Sequence, residues 1–224
     1  MKKPRRSSQR GSTIVEFAIV VPFLTLAFFG TVGLGIMMGR YVQAVTVARD
    51  LAHMYSDGVD FSKTTNRNIA IQQLAAGTGI TDAGGNGVII FSKIITVYQV
   101  DCNAAGFGGN CNNLGLPVFT QRLTIGDATL RTGAFGTPAS AILDGQGNIA
   151  ATYYMKNDDS SVRTTGFETA LESAVQRATG VAPAAPAQAQ NDAAYVVEVF
   201  FKYPDIAFLG WSTAGGAYAM FIFR

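Results

Sequence analysis

The residues of this sequence that could do chemistry are few and widely spaced. Histidine occurs once, at His53, so any Ser–His nucleophile pair would depend on that single position. Ser212 lies in Gly-Trp-Ser-Thr-Ala, which lacks the closing glycine of a nucleophile elbow. Asp158 and Asp159 lie in a polar Lys-Asn-Asp-Asp-Ser-Ser segment typical of a solvated loop. We therefore predict that the chain is not an enzyme, with a carboxylate-only glycosidase as the enzymatic alternative.

Cofactor and metal motifs are also missing from the sequence. Neither HExxH nor GxxxxGK[ST] occurs, and Gly33-x-Gly35 has no third glycine and no preceding strand. Zinc needs more Cys and His ligands than Cys102, Cys111 and His53 provide. The loop 144–148 (Asp-Gly-Gln-Gly-Asn) has too few acids for a calcium site and predicts a plain turn. We expect no cofactor, no metal and no small-molecule substrate.

The two cysteines flank a glycine- and asparagine-rich loop. Cys102 and Cys111 enclose a segment with little packing of its own. If this region is exported, a disulfide between them stabilises it by about 2.7 kcal/mol in the chain-entropy estimate. Free thiols are the alternative.

One carboxylate stands inside a membrane-length apolar run. From Ile14 to Met38 the only ionisable side chain is Glu16, and such a residue costs about 2.5–3.5 kcal/mol near a bilayer centre. Cleavage of the Gly11–Ser12 bond would create an ammonium group four residues before Glu16 and would remove the basic leader. The new charge could neutralise Glu16 of the same or an adjacent subunit, so that a bundle of these helices packs together.

The charge pattern sets the orientation of that run. Five of the 17 Lys and Arg residues lie in the first ten positions, which leaves 12 cations against 15 Asp and Glu in the rest of the chain. Because five cations precede the run and only Arg40, Arg49 and Asp50 follow it closely, the positive-inside tendency places the N-terminus in the cytoplasm and everything after Arg40 on the other side of the membrane. Because positive charge is not spread over a folded face, we expect no nucleic-acid partner. With 48% hydrophobic and 14% charged residues, the composition favours a membrane-associated protein.

Three simpler interpretations of the run remain open. A cleaved signal peptide would have a shorter apolar region, although Gly33 and Gly35 could mimic its small-residue cleavage site. A plain signal anchor explains the run but neither Glu16 nor Gly11. A helix buried in a soluble core would not need the five leading cations. Within the run, Pro22 should kink or loosen the helix, and Gly35 and Gly39 have the spacing of a helix-packing GxxxG motif, with ordinary membrane-helix composition as the alternative.

The segment Arg-Gly-Ser-Thr-Ile-Val-Glu-Phe at 10–17 resembles a type IV prepilin processing site. In that site a membrane peptidase cuts after Gly, and Glu is the fifth mature residue, the position of Glu16. The continuation to Leu24 and the segment 44–52 resemble the signature of TadE-like proteins, minor pilins (pseudopilins) of tight-adherence (Flp, type IVc) pilus systems.

The resemblance implies processing at Gly11 and Ser12 by a prepilin peptidase, and assembly through Glu16, Phe17 and Pro22. The implied partners are other pilin and TadE-like subunits, an inner-membrane assembly platform and the membrane itself. It also implies a single pass through the inner membrane, an N-terminus in the cytoplasm, a periplasmic or extracellular C-terminal domain and incorporation in a pilus. The rival function is a membrane-anchored extracytoplasmic binding or adhesion domain, and an anchored hydrolase is a third.

We expect an α+β fold, in which a long transmembrane helix continues into a helix packed on an antiparallel sheet, as in type IV pilins. The expected divisions are a leader (1–11), the membrane and assembly helix (12–57) and a C-terminal domain (58–224) with an Ala/Pro linker at 181–191. An apolar stripe through Tyr41, Val45, Ala48, Ala52 and Tyr55 extends the helix to Asp57-Gly58. Runs rich in apolar and aromatic residues predict strands at 88–100, 118–125, 149–155, 195–203 and 218–223, the last two antiparallel neighbours. A capping box at 165–168 starts a further helix.

Overall fold

The structure, a computed structural model, describes residues 10–156, 160–171, 193–202 and 215–223, with side chains from Ile14 onward. The Asp158-Asp159 pair, the Ala/Pro linker at 181–191 and Ser212 lie outside the described residues. The helix expected after the capping box is described at 167–171 only.

A single helix, α1, runs for 47 residues from Arg10 to Ser56 and passes through Pro22. Its last residue, Ser56, is followed by Asp57 and by Gly58, whose φ of 86° suits only glycine at low cost. The N–H of Val59 then donates to the carbonyl of Met54 at 2.9 Å, which closes a Schellman-type cap. The helix end at Asp57-Gly58 is thus confirmed.

Four of the described strands form one antiparallel sheet. They are β3 (Gly87–Thr96), β4 (Pro117–Gly126), β5 (Ala194–Lys202) and β6 (Gly216–Phe223), in the order β4-β3-β5-β6. Every neighbouring pair is antiparallel, as expected for β5 and β6. A minor hairpin, β1 (Ile80–Thr81) and β2 (Gly84–Gly85), precedes β3. The expected α+β architecture of a long helix on an antiparallel sheet is confirmed.

Side chains that alternate along the strands pack into two separate cores, one on each face of the sheet. The first core lies between α1 and the sheet and contains Ile89 and Phe91 of β3 with Val197 and Val199 of β5. The second core lies on the opposite face, where Val196 of β5 packs against side chains from the loops and short helices that follow β4. The C-terminal half of α1 therefore covers one sheet face, and connecting segments cover the other.

Two short helical segments lead from α1 to the sheet. Helix α2 (Thr64–Ile69) is followed by a π-helical turn, Ala70–Leu74. The guanidinium of Arg67 forms a 2.8 Å salt bridge with Asp82 and donates to carbonyls in the turn after β1 and in β4, which fixes this connection against the sheet.

The strand expected at 88–100 is confirmed except for its end, and the strand expected at 149–155 is wrong. Strand β3 ends at Thr96, and helix α3 (Gln99–Ala104) replaces the end of the run at 88–100. The cause is local, since the Asp101 carboxylate accepts a 3.0 Å hydrogen bond from the N–H of Tyr98 and caps the new helix. Ile149 forms an isolated bridge with Leu143 and donates its N–H to the carbonyl of Thr120 at 2.9 Å, but no strand follows it. The π-helical turn Thr152–Lys156 then brings Met155 into the second core.

Candidate functional site

The N-terminal half of α1 presents apolar side chains on every face. Between Ile14 and Met38, Ile14, Phe17, Phe23 and Met38 are all 69–71% exposed. The helix is long and apolar enough to cross a membrane. Its mean hydropathy is 2.2, and none of the 18-residue stretch that makes it a candidate span is buried. A helix buried in a soluble core is therefore wrong for this segment. By length and composition this half of α1 can cross a membrane or pack against other helices.

Glu16 lies one helical turn after the expected cleavage bond. Gly11 and Ser12 are both within α1, so a residue at position 12 and Glu16 have the i, i+4 relationship that brings side chains together on one helix face. Glu16 is exposed, and Phe17 beside it is 69% exposed. The helix geometry thus places an ammonium at position 12 within one turn of the carboxylate, but whether the bond is cut stays a prediction.

Pro22 and the glycines Gly35 and Gly39 lie at separate levels of α1. Pro22 is exposed and has no N–H to give to the carbonyl of Ala18, one turn earlier. A Cβ added to Gly35 or Gly39 would meet no atom within 4 Å. Their shared face is therefore open within this chain and has room for a second helix backbone, as the GxxxG prediction requires.

The C-terminal half of α1 changes from exposed to buried over a few residues. Tyr41 is still 56% exposed, which makes it the wrong member of the expected stripe. From Ala44 onward a continuous face is fully or almost fully buried against the sheet, comprising Ala44, Val47, Ala48, Leu51, Ala52 and Tyr55. Small residues in this face let the helix lie close to β5 and β6, so α1 and the sheet form one packed unit.

The change from exposed to buried is marked by a polar contact. A guanidinium N–H of Arg40 donates to the carbonyl of Gly77 at 3.0 Å, and the Gln43 amide donates to the carbonyl of Ala76 at 2.8 Å. Both acceptors belong to the loop after the π-helical turn. This contact fixes the loop to α1 at the first cation after the apolar run.

His53 packs on the sheet edge. It is exposed, and its ring centroid lies 4.0 Å from that of Phe223 in β6. Among the described residues, no three His, Cys, Asp or Glu side chains come together as metal ligands. The loop 144–148 is a turn, in which Asp144 accepts hydrogen bonds from the N–H groups of Gln146 and Asn148 at 2.8 and 2.7 Å. These bonds, led by the Asn148 N–H, lower the pKa of the Asp144 carboxyl.

The cysteines form a disulfide. The S–S distance between Cys102 and Cys111 is 2.01 Å, so the free-thiol alternative is wrong. Cys102 is fully buried in α3 and belongs to the second core. The bond therefore attaches the glycine-rich loop to packed structure, and it favours an oxidising compartment for this region.

A buried polar cluster on the second sheet face was not expected from the sequence. The Glu198 carboxylate, 1% exposed, accepts hydrogen bonds from the N–H of Ala134 at 2.9 and 3.0 Å and from the phenol of Tyr218 at 2.9 Å. Arg122, 5% exposed, donates to the Ser92 hydroxyl. Burial lowers the pKa of the Arg122 guanidinium, and the charge of Glu198 opposes that effect. The one sequence signal was Glu198 itself, an acid in an otherwise apolar strand.

Comparison with known proteins finds a match for the N-terminal part of the chain. The model of the TadE-like protein family matches residues 11–53, from the expected cleavage site to the buried end of α1. Neither the curated proteins nor the solved structures contain a match.

Proposed function

We propose that this chain, which carries a TadE-like domain at residues 11–53, is a minor pilin (pseudopilin) of a tight-adherence pilus or a related secretion assembly. Its role is to assemble, and it catalyses no reaction of its own. TadE-like pilins are generally structural proteins, and an N-terminal apolar helix joined to an α+β domain suits that role.

One observation carries the proposal: α1 is divided into an exposed apolar half and a half buried on its own sheet. The exposed half is continuous with the buried one, so a load or movement on the membrane segment passes directly to the sheet. An anchor that served only as a tether would not need a rigid connection of this kind. The TadE-like match spans both halves.

In the proposed pathway, the chain is made with its N-terminus in the cytoplasm and cut between Gly11 and Ser12 by a prepilin peptidase. The new ammonium at Ser12 pairs with Glu16 of the same or a neighbouring subunit, which compensates two charges in an apolar environment. Phe17, the loosened backbone at Pro22 and the open Gly35–Gly39 face then contribute to helix packing. The partners are other pilin and TadE-like subunits and the inner-membrane platform.

The proposed location of the chain follows from the apolar half of α1 and from the disulfide. The apolar half of α1 sits in the inner membrane as a single span, and the disulfide-bearing region lies on the periplasmic or extracellular side. Arg40 marks the outer border of the span, where its guanidinium is engaged with the Gly77 carbonyl.

The direct test is a comparison of Glu16→Ala with Thr31→Ala in a piliated host. Thr31 is a second exposed polar residue of the same apolar half, bonded to the carbonyl of Phe28. We expect Glu16→Ala to be processed normally but to lower piliation or incorporation severalfold, while Thr31→Ala behaves as wild type. Unchanged piliation in Glu16→Ala would reject the role given to the carboxylate.

A helix exchange distinguishes assembly from the rival adhesion function. An unrelated apolar anchor in place of residues 12–39 should abolish incorporation into the pilus while the chain remains membrane-bound. If surface attachment of the cells were unaffected by this exchange, the anchored adhesion domain would be the better account.

A further inference from the structure

A cleft on the sheet face opposite α1 has the size of a small-molecule site. Its volume is about 380 Å³, within the range of ligand pockets. Ile90 of β3 and Arg122 and Thr124 of β4 form its floor, and residues 128–147 form its walls. We name it the Arg122–Arg131 cleft after its two cations.

The two guanidinium groups are held in place by packing, and the charge of the buried Glu198 acts on that of Arg122. Arg131 lies with its Cζ 3.5 Å from the ring centroid of Tyr218, and its buried Nε donates no hydrogen bond. The guanidinium of Arg122 lies so close to Gly133 that a Cβ there would overlap it. Among the described residues, neither arginine forms a salt bridge. The cleft therefore has fixed N–H donors that suit an anion.

The nearby acids are occupied by other groups. Glu198 is bound by the N–H of Ala134 and the phenol of Tyr218. Asp144, the acid that lines the cleft, accepts its hydrogen bonds from Gln146 and Asn148 within its own turn. An anion entering the cleft would thus meet two cations and the Asp144 carboxylate of the lining, with the buried Glu198 carboxylate close to Arg122, and both acids are already hydrogen-bonded.

The remaining lining gives the chemical class of the ligand. The cleft is lined by hydroxyl-bearing residues, Thr124, Thr132, Thr137 and Ser140, and by apolar residues, Ile90, Leu123, Pro138 and Leu143. An inorganic oxyanion is much smaller than this space and would leave the hydroxyls unused. A sugar has hydroxyls that can hydrogen-bond to the threonine and serine side chains and C–H faces that can pack against the apolar ones.

We propose that the Arg122–Arg131 cleft binds an acidic sugar, with the two guanidinium groups on its carboxylate and the threonine and serine hydroxyls on its own hydroxyls. Because α1 packs on the opposite sheet face, helix assembly and sugar binding use different sides of the molecule. The proposal does not depend on the pilus function, since an anchored adhesion domain could hold the same site.

Isothermal titration calorimetry of the full chain in detergent tests the proposal. Sodium D-glucuronate is the ligand, and D-glucose and inorganic phosphate are titrated separately for comparison. We expect saturable binding of glucuronate and none of glucose. Arg131→Gln should weaken it at least about tenfold, the loss expected when a charged hydrogen bond is removed. Lys156→Gln, which removes an exposed cation outside the cleft, is the matched control and should bind as wild type.

Thr137→Val tests the contribution of the hydroxyl groups that line the cleft, and it provides a second variant if Arg131→Gln fails to fold. It should weaken glucuronate binding measurably without changing the melting temperature by more than a few degrees. The proposal is overturned if glucuronate does not saturate or glucose binds equally. It is also overturned if phosphate binds as tightly as glucuronate, or if Arg131→Gln or Thr137→Val, once folded, binds glucuronate as wild type does.

Discussion

The phenol of Tyr55 donates a 2.8 Å hydrogen bond to Oε1 of Gln121, which joins the last turn of α1 to the edge strand β4. The same ring makes edge contacts with Phe61, Phe91 and Tyr195, at centroid distances of 5.1–6.4 Å. Tyr55 thus connects the end of α1 with the three strands β3, β4 and β5 and with Phe61 in the connection that follows the helix.

Two substitutions at Tyr55 should separate the contribution of its hydrogen bond to stability from the contribution of its ring packing. Tyr55→Phe removes the donor to Gln121 and should lower the free energy of unfolding by about 1 kcal/mol. Tyr55→Ala also removes the ring and should cost about 3–5 kcal/mol. Denaturant unfolding of the full chain in detergent measures both, and equal costs for the two variants would contradict this division.

The two halves of α1 should respond differently to the same substitution. Leu51 is fully buried against the sheet, whereas Leu34 is 62% exposed in the apolar half. Leu51→Ala should lower the free energy of unfolding by about 2–5 kcal/mol, because it leaves a cavity. Leu34→Ala, the matched control, should stay within about 0.5 kcal/mol of wild type in detergent. A larger cost at Leu34 would contradict the packing described for α1.

The disulfide should stabilise the second core. Cys102→Ala combined with Cys111→Ala should lower the free energy of unfolding by about 2.7 kcal/mol, the chain-entropy value for this loop. A reductant should destabilise the wild type by a similar amount and leave the double variant unchanged. Destabilisation of the double variant by reductant would show that the bond is not the group affected.

Alkaline pH should destabilise the fold through Tyr218 and Tyr55. Burial, with the Glu198 charge adding to it, raises the pKa of Tyr218 from 10.0 to about 12. Burial raises the pKa of Tyr55 as well. Because the folded state keeps protons that the unfolded state loses, this stabilisation is complete below pH 10 and is lost as the pH rises through the folded values.

The slope of that loss is about 1.4 kcal/mol per pH unit for each tyrosine. Tyrosinate absorbance followed with near-UV circular dichroism measures it. Tyr218→Phe should make the slope above pH 10 shallower, and Tyr153→Phe, which changes an exposed phenol, should not. An unchanged slope in Tyr218→Phe would contradict the assignment.

Apolar patterns predicted the individual elements, and the resemblance to type IV pilins implied the packing of the long helix on an antiparallel sheet. The extent of α1, its end at Gly58 and the β5–β6 pair all follow from apolar runs bounded by strong turn residues. Local capping changed the outcome near Tyr98, where Asp101 turned the end of an apolar run into a helix. At Ile149 the apolar run forms an isolated bridge and then a π-helical turn, because Met155 packs into the second core.

The polar side of the molecule was less accessible to sequence reasoning. Glu16 and the cysteines stand out because their surroundings are unusual in composition. Arg122, Glu198 and Tyr218 lie on three different strands, and only the sheet register brings them to one face. Arg131 comes from a loop whose course no periodic pattern describes. A site assembled by strand order in this way needs the structure before it can be recognised.

The most direct test of the central claim is the mass of the mature N-terminal peptide of the protein purified from its native host. We predict that the chain begins at Ser12, with Glu16 as its fifth residue, and that Gly11→Glu accumulates as the full-length precursor. A mature chain that begins at Met1 or beyond residue 39, or a Gly11→Glu variant processed like the wild type, would contradict the account.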